Sequence, residues 1–114
     1  MNRDESHYLD MLIAARKVQA FAAGLTEEAF YESELHQSAI IRELQVVGEV
    51  ARQVSDEGKA AHPEIPWAEI AGMRNRLVHE YFRISLEIVW QVVKNDIAPL
   101  IAQLDPLIPP EDEA

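Results

Sequence analysis

Apolar residues recur at intervals of three and four along nearly the whole chain and nowhere settle into strict alternation. A period near 3.6 suits helices and a period of two suits strands, so the pattern admits an all-α fold and argues against a sheet. The broadest stripe is Leu35, Ile40, Ile41, Leu44, Val47, Val50, Ala51 and Val54. Arg42, Glu43, Glu49, Arg52 and Gln53 fall mostly off it, as one buried helix face requires. Gly48 interrupts this helix, where glycine costs about 1 kcal/mol relative to alanine. Close approach of a neighbouring helix is the expected reason.

Punctuation divides the pattern. Tyr8, Met11, Leu12, Ala15, Val18 and Ala22 predict a first helix from about Glu5 to Ala23, with Gly24 at its end. Thr26 ahead of Glu27 and Glu28 predicts a second start, its carboxylates complementing the helix dipole. That helix runs to about Ser55 with a break near residues 31–33. Two prolines make Lys59 to Pro66 a loop, because each pushes its predecessor out of the α region. Trp67, Ile70, Met73, Leu77 and Tyr81 then mark a third helix. Phe82-Arg83-Ile84 is a joint, Ser85 an N-cap, and Pro99 kinks or divides the last helix. This last helix is apolar on much of its circumference. The expected antiparallel bundle of four, at most five, helices therefore has a surface left to bury against a second copy, as a homodimer. Residues 1–105 are expected to form one domain, and the proline-rich acidic stretch 106–114 to fray.

A length of 114 residues supports one core. Without cysteine, disulfides and thiolate metal sites are excluded and a reducing compartment is expected. No run approaches the roughly 20 apolar residues of a membrane span. The polar start is unlike a targeting peptide, so the expectation is a cytoplasmic protein away from membranes. Ten basic against twenty acidic residues give a net charge of −10, which counts against an extensive nucleic-acid footprint and suits a basic protein partner. The charge is uneven: within residues 71–84, Arg74, Arg76 and Arg83 stand against Glu80 alone.

That stretch also holds the unusual chemistry. Met73-Arg74-Asn75-Arg76-Leu77-Val78-His79-Glu80-Tyr81-Phe82 concentrates two guanidiniums, an amide, an imidazole and a phenol. A guanidinium grips phosphate bidentately and an imidazole moves protons near neutral pH, so Arg74 and His79 suggest phosphate chemistry. Asn75 and Arg76 are candidate supporting phosphate contacts. At ~100° per residue, Arg74, Leu77 and Tyr81 lie within about 40° of Ile70, while Asn75 and His79 lie on the opposite side. Arg74 and His79 therefore cannot form one compact pair on an undistorted helix, and His79 is expected to face solvent or a partner chain. Metal-free cleavage of RNA wants both a base and an acid, which one imidazole does not supply. A two-fold axis beside His79 would bring a second, with Arg74 or Arg76 answering charge on the phosphorane.

Each of these residues also has a plain structural reading. Arg74 could bond a helix C-terminus or Glu49, His79 and Asn75 could be solvated surface groups, and Tyr81 could be packing. Trp67 and Trp90 are expected to anchor the core or an interface. His7, His36 and His62 show no ligand spacing, so no metal site is assigned, and no glycine-rich loop points to a cofactor.

Arg-x-x-x-x-His-x-Tyr, here Arg74, His79 and Tyr81, resembles the signature of the HepT-like toxins of the HEPN superfamily. The likeness extends to Asp4–Phe21, to Ile41-Arg42-Glu43-Leu44-Gln45-Val46-Val47-Gly48-Glu49, to Ile65-Pro66-Trp67-Ala68-Glu69-Ile70-Ala71-Gly72-Met73-Arg74-Asn75 and to Leu86-Glu87-Ile88-Val89-Trp90. The resemblance implies a dimerising all-α bundle with Arg74 and His79 as ribonuclease residues at a cleft on the dimer axis. It further implies a metal-independent RNA endonuclease that is the toxin of a type VII-like toxin–antitoxin module. Its antitoxin would be a minimal nucleotidyltransferase, which in some systems transfers AMP to the motif tyrosine, here Tyr81. The competing reading is a non-catalytic helical dimer that binds such a partner or a nucleotide.

Overall fold

The computed structural model describes residues 1–80 and 85–110. Among these the regular structure is entirely helical: α1 (Arg3–Ala22), α2 (Glu27–Glu32), α3 (Glu34–Ala51), α4 (Asp56–Ala61), α5 (Trp67–His79), α6 (Leu86–Asn95), α7 (Ile97–Leu104) and a closing 3-10 turn, Asp105–Leu107. No described helix is long and apolar enough to cross a membrane.

Local chemistry explains most of the boundaries. Asn2 caps α1 by accepting from the Glu5 N–H while the Glu5 carboxylate reaches back to the Asn2 N–H, a reciprocal capping box. The helix ends before Gly24, whose φ of 73° lies in the left-handed region open to glycine. Thr26 caps α2, and Ser33 both ends α2 and caps α3, which is the break expected near residues 31–33. Ser85 caps α6, as expected. The long last helix divides one residue past Asn95. The cause is Pro99, whose ring clashes with the carbonyl four residues back, that of Asn95.

The described residues form seven helices where four, at most five, were expected: the breaks at Ser33 and Asp96 separate α2 from α3 and α6 from α7, and α4 is an element the sequence reading lacked. Residues 56–61, read partly as loop, form α4, capped by Ser55. Asp4 at the start of α1 accepts from both the Ser55 N–H (3.0 Å) and the Ser55 hydroxyl (2.5 Å). Those two hydrogen bonds hold its carboxyl below the usual aspartate range. Gly58 is buried here, and a side chain in its place would meet that carboxylate and the Tyr8 hydroxyl. Burial in turn pushes the Tyr8 phenol up.

α3 is the central element, with α1 on one side and α5 on another, while α7 packs on α1. The core joins Met11, Leu12, Ala15 and Val18 of α1 to Ile40, Ile41, Leu44 and Val47 of α3, and Val89, Trp90, Ile97 and Leu104 close it. Phe30 is fully buried and stacks on Trp90 at 5.2 Å, which ties α2 to α6. Leu107 and Ile108 pack against the same core.

Candidate functional site

α5 carries the motif, and its two ends are fixed by neighbours. At its start, Ile65 is buried, the Trp67 indole N–H donates to the His62 carbonyl at 3.0 Å, and the Trp67 ring lies 6.4 Å from that of Tyr8. At its end, the Gln45 amide of α3 donates to the Leu77 carbonyl at 3.2 Å, satisfying one of the acceptors that a helix C-terminus leaves open. Leu77 itself is wholly buried. Arg76 and His79 occupy the last turn, where positive charge suits the dipole.

Between these ends α5 crosses α3 at Gly48. A Cβ built on Gly48 would stand 2.7 Å from Arg74 Cγ and nearer still to Arg74 Cβ, so only glycine admits the arginine stem. The close approach expected from the sequence is therefore present, and the approaching group is the motif arginine. Gly48 opposite Arg74 and Gln45 opposite Leu77 show that α3 and α5 run antiparallel.

Arg74 is anchored through all three of its nitrogen groups. Its Nε donates to Glu49 Oε2 at 2.8 Å, its Nη2 lies 2.7 Å from the same oxygen, and its Nη1 donates to Asn75 Oδ1 at 3.1 Å. The other Glu49 oxygen is 3.8 Å from Arg52 Nη1, so one carboxylate is shared by two guanidiniums. The Arg74 side chain is 16% exposed and that of Glu49 51% exposed, so the pair sits at the rim of the interhelical contact. Of the two plain readings of Arg74, the one naming Glu49 matches the geometry.

His79 belongs to a different surface. It is the last residue of α5, it is exposed, and among the described residues its ring has no hydrogen-bond or ion-pair partner. Asn75, four residues back, is exposed too. Val78 is exposed beside it (43%), an apolar side chain next to the exposed Arg76 and His79. Arg76 is half exposed, with Nε 3.7 Å from Glu80 Oε2. The structure thus brings Arg74, Asn75 and Glu49 together and leaves His79 outside that network, as the helical arithmetic requires. Tyr81 and the joint Phe82-Arg83-Ile84 lie outside the described residues.

Sequence reasoning missed Gln45 and Arg52. Their only sequence signal is spacing: Gln45, Glu49 and Arg52 recur at intervals of four and three, which gives them a common side of α3. Among the described residues no group of three or more His, Asp or Glu gathers that could hold a metal ion.

An antiparallel α3/α5 pair, with an arginine of α5 seated on the Gly-Glu step of α3 and a histidine at the end of α5, defines the class as an all-helical protein with its motif on one interhelical contact. Comparison with known proteins narrows it. The family model described as Ribonuclease HepT-like matches residues 11–107, and the chain belongs to that family. A probable ribonuclease HepT of Thermococcus cleftensis is 35% identical over 108 residues, spanning 94% of this chain and 98% of that one. A Methanocaldococcus jannaschii protein named as a candidate RNase is 31% identical over 104 residues, 90% of this chain and 95% of its own. A similarly named protein of Caldanaerobacter subterraneus subsp. tengcongensis is 33% identical over 88 residues, 77% and 79% of the two chains. No solved structure matches.

Proposed function

We propose that this chain is a metal-independent endoribonuclease whose site is completed across the two-fold axis of a homodimer, and that it serves as the toxin of a toxin–antitoxin pair in the cytoplasm. The observation that carries the reading is the exposed His79 one turn beyond an anchored Arg74 on the same helix, in a chain of the ribonuclease HepT-like family.

One His79 would take the proton of a ribose 2′-hydroxyl as that oxygen attacks phosphorus. The His79 of the second copy would give a proton to the departing 5′-oxygen. Arg74 answers the charge gathering on the phosphorane, and Asn75 and Arg76 orient the flanking phosphates. Glu49 and Gly48 fix Arg74 in advance, so little reorganisation is needed when substrate arrives. A partner nucleotidyltransferase would silence the site by transferring AMP to Tyr81, adding phosphate charge and bulk beside the arginines.

Cleavage of a labelled RNA in excess chelator tests this. Wild type should cut, folded His79→Ala and Arg74→Ala should not, and exchanging excess His79→Ala into wild type should lower activity in proportion to the heterodimers formed, because each of them keeps a single imidazole. Persistent cleavage by His79→Ala would remove the imidazole from the mechanism. Mass spectrometry after co-expression with a nucleotidyltransferase tests Tyr81, and an unmodified tyrosine in a neutralised complex would remove that step.

A second reading has an observation of its own. Arg74 already spends its nitrogens on Glu49 and Asn75, as a structural arginine would. On that reading the chain is a non-catalytic helical dimer that binds its partner or a nucleotide, and no variant of the motif alters RNA.

A further inference from the structure

We infer that the apolar groove between α3, α5 and the α6–α7 break is a docking site for a cationic amphipathic segment of a partner protein. The groove encloses about 380 Å³. Leu44 and Val47 of α3, Ile70 and Met73 of α5, and Val92 and Leu100 across the break form its walls. Ile70, Met73 and Val92 are only partly covered by their own chain.

The rim decides the occupant. Glu64, Glu69 and Asp96 line the groove, all three are exposed, and no basic residue lines it among the described residues. Two cations close to its lining residues in sequence are engaged elsewhere. Lys94 lies 5.6 Å over the Trp90 ring, and Arg74 is turned into Glu49. A second copy seated by two-fold symmetry would meet this patch with the same patch, and since its charged residues are all acidic, carboxylate rim would face carboxylate rim. Like charges across an interface select against that pairing, whereas lysines or arginines flanking an aliphatic anchor answer each rim carboxylate. The groove also avoids the motif surface: neither Asn75 nor His79 lines it. Its occupant can therefore sit on α5 while the exposed side of the motif stays open, and the inference stands apart from the nuclease reading.

Binding of a synthetic amphipathic helical peptide, leucine on one face and lysine on the other, tests the site by calorimetry on the full chain. A leucine–glutamate peptide of the same pattern is the control. Glu69→Lys with Asp96→Lys should weaken the lysine peptide at least tenfold. Glu27→Lys with Glu28→Lys on α2 changes net charge equally and should weaken it less than about twofold. Equal effects from the two pairs would mean attraction to the acidic body as a whole and would overturn the assignment. So would equal binding of the leucine–glutamate peptide. Sedimentation of Val92→Asp, checked for folding by its melt, separates the remaining occupant. An unchanged association state is expected, and loss of a dimer would give the groove to a second copy instead. RNA cleavage should be unaffected by the rim changes, so failure here and failure of the nuclease reading are distinguishable.

Discussion

Replacing Gly48 with alanine sets two effects of similar size against each other, and the structure says which wins. In an open helix the change would stabilise by about 0.5–1 kcal/mol, since alanine restricts the unfolded chain and favours the helix. At Gly48 the new methyl would meet Arg74 Cγ at 2.7 Å, Arg74 Cβ more closely, and Arg74 Cα at 3.4 Å. Cβ and Cα cannot swing aside as a side-chain tip can, so α3 and α5 must part. Overpacking of that kind costs roughly 1–3 kcal/mol. Parting also strains the Arg74–Glu49 pair and the Gln45–Leu77 hydrogen bond, adding about 1 kcal/mol. The net expectation is destabilisation by about 1–3 kcal/mol. With an unfolding entropy near 0.24 kcal/mol/K for 114 residues, the melt should fall by roughly 4–12 °C. Calorimetric melts of Gly48→Ala, Arg74→Gly and the double variant measure it, because removing the Arg74 Cβ should relieve the clash. A coupling of about 1–2 kcal/mol is expected. A rise in the melt for Gly48→Ala alone, or no coupling, would refute the crossing at this point.

Gly72 gives the opposite case: it is exposed in α5, the facing helix, and a Cβ there meets nothing within 4 Å. Gly72→Ala should raise stability by about 0.5–1 kcal/mol in dilute solution, and a fall that grows with concentration would reveal a second chain against that face. Glu49→Gln should cost about 1 kcal/mol or less, because the Glu49 carboxylate is half exposed, with the loss shrinking in high salt; a larger, salt-independent loss would contradict the rim placement. Asp4→Asn should destabilise at neutral pH by about 1 kcal/mol through its two Ser55 hydrogen bonds. The Asp4 carboxyl titrates below its ordinary 3.8, so its stabilisation is present above that pH and is lost as pH falls through the lower folded value. The gap between the melts of wild type and Asp4→Asn should therefore start to narrow as pH falls below about 4 and close only below the lowered folded value, and a gap that does not narrow over that range would detach Asp4 from the effect.

What the sequence determined by itself is the local part of this protein. The helical period, the caps at Thr26, Ser33 and Ser85, the turn at Gly24 and the division of the last helix by Pro99 all arise from residues within a few positions of one another. The same range of reasoning set Arg74 and His79 on different sides of α5, because the turn per residue is a property of the helix alone. Even the reason for Gly48 was legible, since a buried glycine in a helix asks for a neighbour. The identity of that neighbour was not. That Arg74 fills the notch, that Glu49 and Gln45 hold α5 from across 25 and 32 positions, and that Asp4 caps its distant partner Ser55 follow from how whole helices pack. So does the groove, whose walls come from four helices and whose acidic rim joins Glu64 to Asp96. α4 was missed for a related reason: six residues are too few to hold a helix alone, and this one persists because Ser55 is bonded to Asp4 and Gly58 lies against Tyr8. Periodicity ranks which faces are buried, but only packing decides against what, because the free energy of burial is set by the partner surface and not by the helix that carries it.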